Sequence, residues 1–282
     1  MSRGTPADAG LLEYRARAEG GADAPPVPGV AVTVSALAGV PVLRCLPDRA
    51  DPGRTLLWFH GGGYRLGSAR GFRAWNSHLA AACATEVVSV DYRLAPEHPF
   101  PDALLDAVLA YSAIVPEHRR VVVGGESAGG GLAAALLRAI AERDLPAPAG
   151  AVLCSPWLDL RNVAASFAEN AATDQLFPQA SADAAAGLYL AGHPASDPLA
   201  SPLLGDWSAQ PPVLVQASSD ESLRDDAVGL AQRCAGARLE LYDGVPHAWH
   251  IGYPEAQGSV DAVESIARFV TEVTPEKAAH DA

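Results

Sequence analysis

Val121-Val122-Val123-Gly124-Gly125-Glu126-Ser127-Ala128-Gly129-Gly130-Gly131 decides the fold of this 282-residue chain. An apolar β-type run enters a Gly-x-Ser-x-Gly core, Gly125 to Gly129, and a helix-type run from Leu132 to Ile140 leaves it. Strand, tight turn and helix in that order form an elbow that lifts the Ser127 hydroxyl out of the sheet. Gly125 and Gly129 suit it because a tight, strained turn leaves no room for a Cβ. The helix that begins beneath Ser127 presents its positive dipole end to the reacting centre. Against this stands a plainer reading, a glycine-rich strand–helix turn with an incidental serine, and the motif alone does not decide between them.

Outward from the elbow, strands alternate with helices. Strand-type runs cover Val30 to Val34, Val40 to Leu46, Thr55 to Phe59, Glu86 to Val90, Ala149 to Cys154, Val213 to Ala217 and Arg238 to Tyr242. Helix-type runs cover Leu11 to Glu19, Phe72 to Cys83, Ala103 to Val115, Leu223 to Cys234 and Val260 to Val273. This alternation predicts an α/β fold, a mostly parallel sheet with helices on both faces. Residues 1–28, with Gly20-Gly21 and a Pro-rich link at Pro25 to Pro28, read as a peripheral segment, and residues 29–282 as one domain. Residues 161–205 are rich in Ala, Pro, Asp and Ser and show no strand pattern, so an insertion forming a lid is expected there.

The composition narrows the function. Half the chain is hydrophobic, 49%, which suffices for one large core, and the net charge is −13. An acidic chain without a Lys/Arg block is a poor match for nucleic acid or an anionic membrane. Neither a leader-type N-terminus nor an apolar run of spanning length is seen, so a cytoplasmic protein off the membrane is expected. Cys45, Cys83, Cys154 and Cys234 are scattered without metal-ligand spacing. Buried thiols and no metal are expected, at Cys45 and Cys154 above all.

A serine hydroxyl needs a base to take its proton and an acid to orient that base. His247, in Gly244-Val245-Pro246-His247, follows the last strand and is the candidate base; His250 three residues on is given a stabilising role. After the strand Val213 to Ala217 come Asp220, Glu221, Asp225 and Asp226. Asp225 and Asp226 fall in the first turn of a helix, where the dipole favours acids. Asp220 and Glu221 lie in the loop, and either can reach a histidine. His60-Gly61-Gly62-Gly63-Tyr64 follows another strand and bares backbone N–H groups. Paired with the N–H of Ala128, these can receive an oxyanion.

The chain resembles the hormone-sensitive-lipase-like branch of the α/β-hydrolases, the bacterial HGGG carboxylesterases. The residues that carry this are His60 to Tyr64, Asp91-Tyr92-Arg93-Leu94-Ala95-Pro96-Glu97, Gly125 to Gly130, Ser155-Pro156-Trp157-Leu158-Asp159-Leu160, Ser201 to Leu204 and Pro246-His247. The resemblance runs from about residue 30 to 270. It implies an α/β-hydrolase fold with a small helical cap, built from residues 1–28 and the insertion at 161–205. It further implies Ser127 as nucleophile, His247 as base, and Gly62, Gly63 and Ala128 as oxyanion donors. His60 would brace its loop, and Asp91 to Glu97 would be scaffold. Glu126 stands where the family often has Asp. Aligning on Leu223-x-Asp225 favours Glu221 over Asp220 as the acid.

The expected activity is hydrolysis of short-chain acyl esters through an acyl-enzyme, with a small-molecule ester as partner and no cofactor. Tyr64, Trp75, Trp157, Phe177, Tyr189 and Trp207 are the aromatics available to line the pocket, with Tyr64 and Trp157 singled out. A homodimer is open, because the last strands of the family often pair between subunits. Two other readings use the same residues: an amidase or lactonase acting on one metabolite, and a non-catalytic ligand receptor.

Overall fold

The structure is a computed structural model that describes residues 4–19, 24–118 and 120–275. The expected break at Gly20-Gly21 lies outside the described residues. Eight strands form one sheet: β1 (Val30–Leu37), β2 (Val40–Pro47), β3 (Arg54–Phe59), β4 (Glu86–Val90), β5 (Arg120–Glu126), β6 (Gly150–Cys154), β7 (Val213–Ser218) and β8 (Ala237–Tyr242). Their order across the sheet is β1-β2-β4-β3-β5-β6-β7-β8. β1 and β2 form an antiparallel hairpin and β2 also runs antiparallel to β4; every other pairing is parallel. The hairpin turns at Ala38 and Gly39, both at positive φ, the twist that suits a two-residue connection.

The parallel strands read as continuous apolar runs because both sheet faces are covered. Alternate residues go to opposite cores. Leu57, Phe59, Val121, Val123 and Leu153 join one core with α3 (Asp102–Ile114), α4 (Ala128–Glu142) and α7 (Arg224–Arg233). Leu56, Trp58, Val122 and Val152 join the other with α2 (Arg73–Cys83) and α8 (Ser259–Val273). Each large apolar side chain so buried is worth about 1.5–3 kcal/mol, so β3 and β5 anchor the sheet centre. All four cysteines are free and buried, Cys83 and Cys234 included.

Two segments lie over the C-terminal ends of the strands. α1 (Ala9–Ala18) is tied down by Arg15, which donates to both Glu97 carboxylate oxygens at 2.6 and 2.8 Å and to Ala95 O at 2.8 Å. The 161–205 stretch contains α5 (Ser166–Glu169), α6 (Gln179–Leu190) and a 3-10 turn at Pro202–Leu204, and no strand. No helix among the described residues is long and apolar enough to cross a membrane.

Candidate active site

The chain folds so that three loops meet where the parallel strands end. Ser127 follows β5 directly and sits at φ +56°, ψ −122°, as the residue before the first turn of α4. The positive φ falls on the serine itself, a conformation that costs about 1–3 kcal/mol outside glycine and has to be held by its surroundings. The flanking glycines serve close approach. A Cβ on Gly129 would stand 2.0 Å from Phe59 O, and one on Gly125 would stand 2.4 Å from Gly129 O.

His247 lies five residues beyond β8 and reaches Ser127. Its Nε2 accepts the Ser127 Oγ–H at 2.9 Å, and its Nδ1–H donates to Glu221 Oε2 at 2.6 Å. The ionised carboxylate can only accept, which fixes this tautomer. Glu221 is fully buried, and its other oxygen accepts the Ser218 N–H at 2.9 Å. Burial alone would lower the His247 pKa. The Glu221 hydrogen bond and charge, with Asp174 and Glu126 adding to them, reverse this, and the net shift is upward. The imidazole is therefore a stronger base than usual, and a proton gained from Ser127 is stabilised on it.

The neighbouring acids have other occupations. Asp220 turns away from His247: its Oδ2 accepts the Gly244 N–H at 2.8 Å and steadies the histidine loop. Asp225 accepts the Ser166 N–H at 2.9 Å, and Asp226 takes the N–H groups of Leu158 and Asp159 at 2.7 and 3.0 Å. Burial pushes the Asp226 carboxyl up to about 7. His250 is buried beside Trp249 and hydrogen-bonded to Gln216 Oε1 at 3.0 Å, away from the serine. Burial, with His247 nearby, pushes it down to about 3, so it stays neutral.

The glycine loop closes over the serine. Gly62 and Gly63 have φ of +117° and +61°, and Gly62 O accepts the Arg65 and Leu66 N–H groups in a tight turn. The N–H groups of Gly62, Gly63 and Ala128 meet no acceptor among the described residues. His60 braces the loop: it stacks on Tyr92 at 4.4 Å, and its Nδ1–H donates to Gly61 O at 2.7 Å. Glu126 was visible in the sequence only as a longer stand-in for Asp. It is buried and accepts the Gly61 N–H and the Trp58 Nε1–H, each at 2.6 Å. Burial pushes its carboxyl up to about 8, against the pull of those two bonds.

A cavity of about 220 Å³ opens above Ser127, bordered by Gly61 to Gly63, Arg65, Leu66, Phe72, Leu176, Phe177, Ser181, His247 and Ile251. Of the six aromatics expected at its wall, Phe177 alone is there, stacked on His247 at 5.7 Å. Tyr64 and Trp157 are corrections: both lie in the core behind the cavity. Tyr64 stacks on Tyr189 at 3.9 Å, and Trp157 donates its Nε1–H to Asn162 Oδ1 at 2.9 Å. Trp75 packs on Trp58, and Trp207 donates to Pro202 O. Large rings bury the most area in a core, and Trp157 and Trp207 also find polar partners there. Asp174 was not foreseen. Its carboxylate receives the N–H groups of Leu176, Phe177 and Ser222, which joins the insertion to the loop that carries Glu221. Its only signal in sequence is a turn-forming Asp in an otherwise featureless insertion. Among the described residues no group of three His, Cys, Asp or Glu side chains is placed to hold a metal ion.

Comparison with known proteins bears on the fold and the family. A family model described as alpha/beta hydrolase fold matches residues 56–251. An acetyl-hydrolase of Streptomyces hygroscopicus is 40% identical over 237 residues, covering 82% of this chain and 79% of its own. An esterase of Acinetobacter venetianus is 34% identical, with coverage of 88% and 84%. The crystal structure of an esterase from the bacterial hormone-sensitive lipase family superposes with a TM-score of 0.90 at 36% identity, over 95% of this chain and 93% of that one. Elbow, glycine loop, sheet order and these relatives agree, and the chain belongs to the α/β-hydrolase family, in its hormone-sensitive-lipase-like branch.

Proposed function

We propose that this protein is a serine carboxylesterase that hydrolyses short-chain acyl esters. The observation that carries the reading is the hydrogen-bonded chain Ser127–His247–Glu221, at 2.9 and 2.6 Å, under a loop with unused N–H groups. Ser127 Oγ attacks the ester carbonyl while His247 Nε2 takes its proton. Glu221 holds the resulting imidazolium. The carbonyl oxygen, now an oxyanion, is received by the N–H groups of Gly62, Gly63 and Ala128 at the positive end of α4. His247 then protonates the departing alcohol. Water, deprotonated by the same histidine, releases the acid and restores Ser127. These residues supply every proton transfer, so the reaction as written needs no cofactor.

A short acyl chain suits a cavity of about 220 Å³, and one relative carries the name acetyl-hydrolase. Residues 1–28 and the 161–205 insertion act as the cap; Leu176, Phe177 and Ser181 from the insertion border the cavity. The enzyme works in the cytoplasm as a homodimer that pairs the free edge of β8, where Leu241 is exposed. The test of the activity is hydrolysis of p-nitrophenyl esters from acetate to palmitate, wild type beside Ser127→Ala. Turnover that peaks at acetate or butyrate and falls at least ~1,000-fold in the variant is expected. Turnover that survives in folded Ser127→Ala sinks the proposal. Light scattering tests the dimer.

A further inference from the structure

An arginine stands where the cap meets the glycine loop, and it lies between two cavities. Arg65, Leu66, Leu176 and Ser181 border both the inner cavity at Ser127 and an outer chamber of about 970 Å³ under α1 and α6. A ligand with its reacting end at Ser127 and its other end in the outer chamber passes Arg65.

The Arg65 guanidinium is nearly unused. It has five N–H donors, and among the described residues one is engaged, from Nη2 to Ser181 Oγ at 3.0 Å. No described carboxylate stands within ion-pair distance of it. Several other arginines of this acidic chain are paired with carboxylates. Arg15 meets Glu97 at 2.6 Å, Arg93 meets Asp106 at 2.8 Å, and Arg161 meets Asp159 at 2.6 Å. The contrast extends to ionisation. Burial lowers the Arg65 pKa, whereas hydrogen bonds to carboxylates help raise those of Arg93 and Arg161. Asp8, the carboxylate that borders the outer chamber, is committed to capping α1 through the Leu11 N–H at 2.8 Å. A half-buried cation whose remaining donors are not committed to protein acceptors is placed to receive an anion in the chamber. A carboxylate matches that fork of donors.

We propose that Arg65 receives a carboxylate carried on the alcohol part of the substrate, so that the preferred substrates are short-chain acyl esters of hydroxy acids. The inference rests on the esterase reading above. With the short acyl group held in the inner cavity, the alcohol part is what extends past Arg65. For an acetyl ester the acyl C–O bond breaks, the acetyl group passes to Ser127 Oγ, and the hydroxy acid leaves with the proton from His247. Water then releases acetate.

The test measures kcat/KM on ω-acetoxy acids of three to six carbons, each beside its primary amide. The series spans the unknown reach to Arg65, and within each pair the length is the same while an anionic acceptor is exchanged for a neutral amide. Wild type, Arg65→Met and Arg65→Lys are compared, and fluorophosphonate labelling of Ser127 checks that each variant keeps its site. Wild type is expected to prefer the carboxylate by about 10- to 100-fold at one chain length or more. That ratio falls to one or below in Arg65→Met, while Arg65→Lys, which keeps the charge without the fork, retains part of it. Because the readout is a ratio, a general loss of activity does not imitate the effect. A wild-type ratio near one at every length overturns the proposal, as does a preference that persists in Arg65→Met. If the amides and p-nitrophenyl acetate are not hydrolysed either, and Ser127 is not labelled, the esterase reading itself fails and this inference with it.

Discussion

The Glu126 carboxylate accepts the Gly61 N–H at 2.6 Å, so the residue before the elbow serine holds the first glycine of the His60–Gly63 loop. The same carboxylate takes the Trp58 Nε1–H, which ties both to β3. Ser127 and the glycine loop are thereby fixed relative to each other through one buried side chain. Glutamine can accept from one of these donors but turns an NH2 toward the other, a contrast to be read at about pH 9, where Glu126 is ionised and accepts from both. Glu126→Gln should lower kcat for p-nitrophenyl acetate by about 10- to 100-fold with little change in KM, because the oxyanion donors lose their alignment. An unchanged kcat would show that the loop holds its own shape.

Glu126 also gives the fold a pH dependence. Burial raises its folded pKa to about 8 from 4.5, so between those values the native state holds a proton that the unfolded chain has lost. The contribution of Glu126 to stability is therefore greatest at low pH and declines as pH rises through about 8. Thermal unfolding of wild type and Glu126→Gln, compared from about pH 5 to pH 9, should show wild type losing ground to the variant. Parallel curves would refute this.

Glu221 and Asp220 are adjacent and chemically alike, yet only one touches His247. Glu221→Gln should reduce kcat by about 100- to 10,000-fold, since a neutral amide neither fixes the tautomer nor stabilises the imidazolium. Asp220→Asn should cost much less, because it keeps an oxygen for the Gly244 N–H. Steady-state kinetics on both variants, each checked for folding, decides; a collapse confined to Asp220→Asn would reverse the assignment.

As the proposed base, His247 works only when neutral, so activity should be lost as pH falls through its pKa. That pKa is raised, chiefly by Glu221 working against burial. The acid limb of kcat/KM in wild type should accordingly lie above 6.5, the ordinary histidine value. In Glu221→Gln the residual activity should show an acid limb displaced to lower pH, and an unmoved limb would mean that another group sets it.

Gly129 has no room for a side chain, its would-be Cβ lying 2.0 Å from Phe59 O. Backbone cannot yield there without moving β3 against α4. Gly129→Ala should cost more than about 4 kcal/mol and give little soluble folded protein. Normal yield with an unchanged melting temperature would contradict the packing described.

The sequence by itself determined the parts of this protein that depend on backbone and period. Alternating strand and helix patterns specified an α/β sheet covered on both faces. Gly125, Ser127 and Gly129 marked the elbow, and His60 to Gly63 marked the second loop, because close backbone approach and positive φ leave a glycine signature in the chain. The order of serine, acidic loop and histidine was equally legible. Tertiary structure decided which side chains point at one another. The residues alone left Asp220 and Glu221 open, since that choice depends on how the loops after β7 and β8 face each other. Tyr64 and Trp157 looked like pocket walls, but an aromatic ring beside a motif goes wherever it buries most surface, and here that is the core behind the cavity. Arg65, Asp174 and the bond from Glu126 to Gly61 escaped the sequence for the same reason. Their partners lie 116, 48 and 65 residues away, and only the folded chain brings them within hydrogen-bond distance.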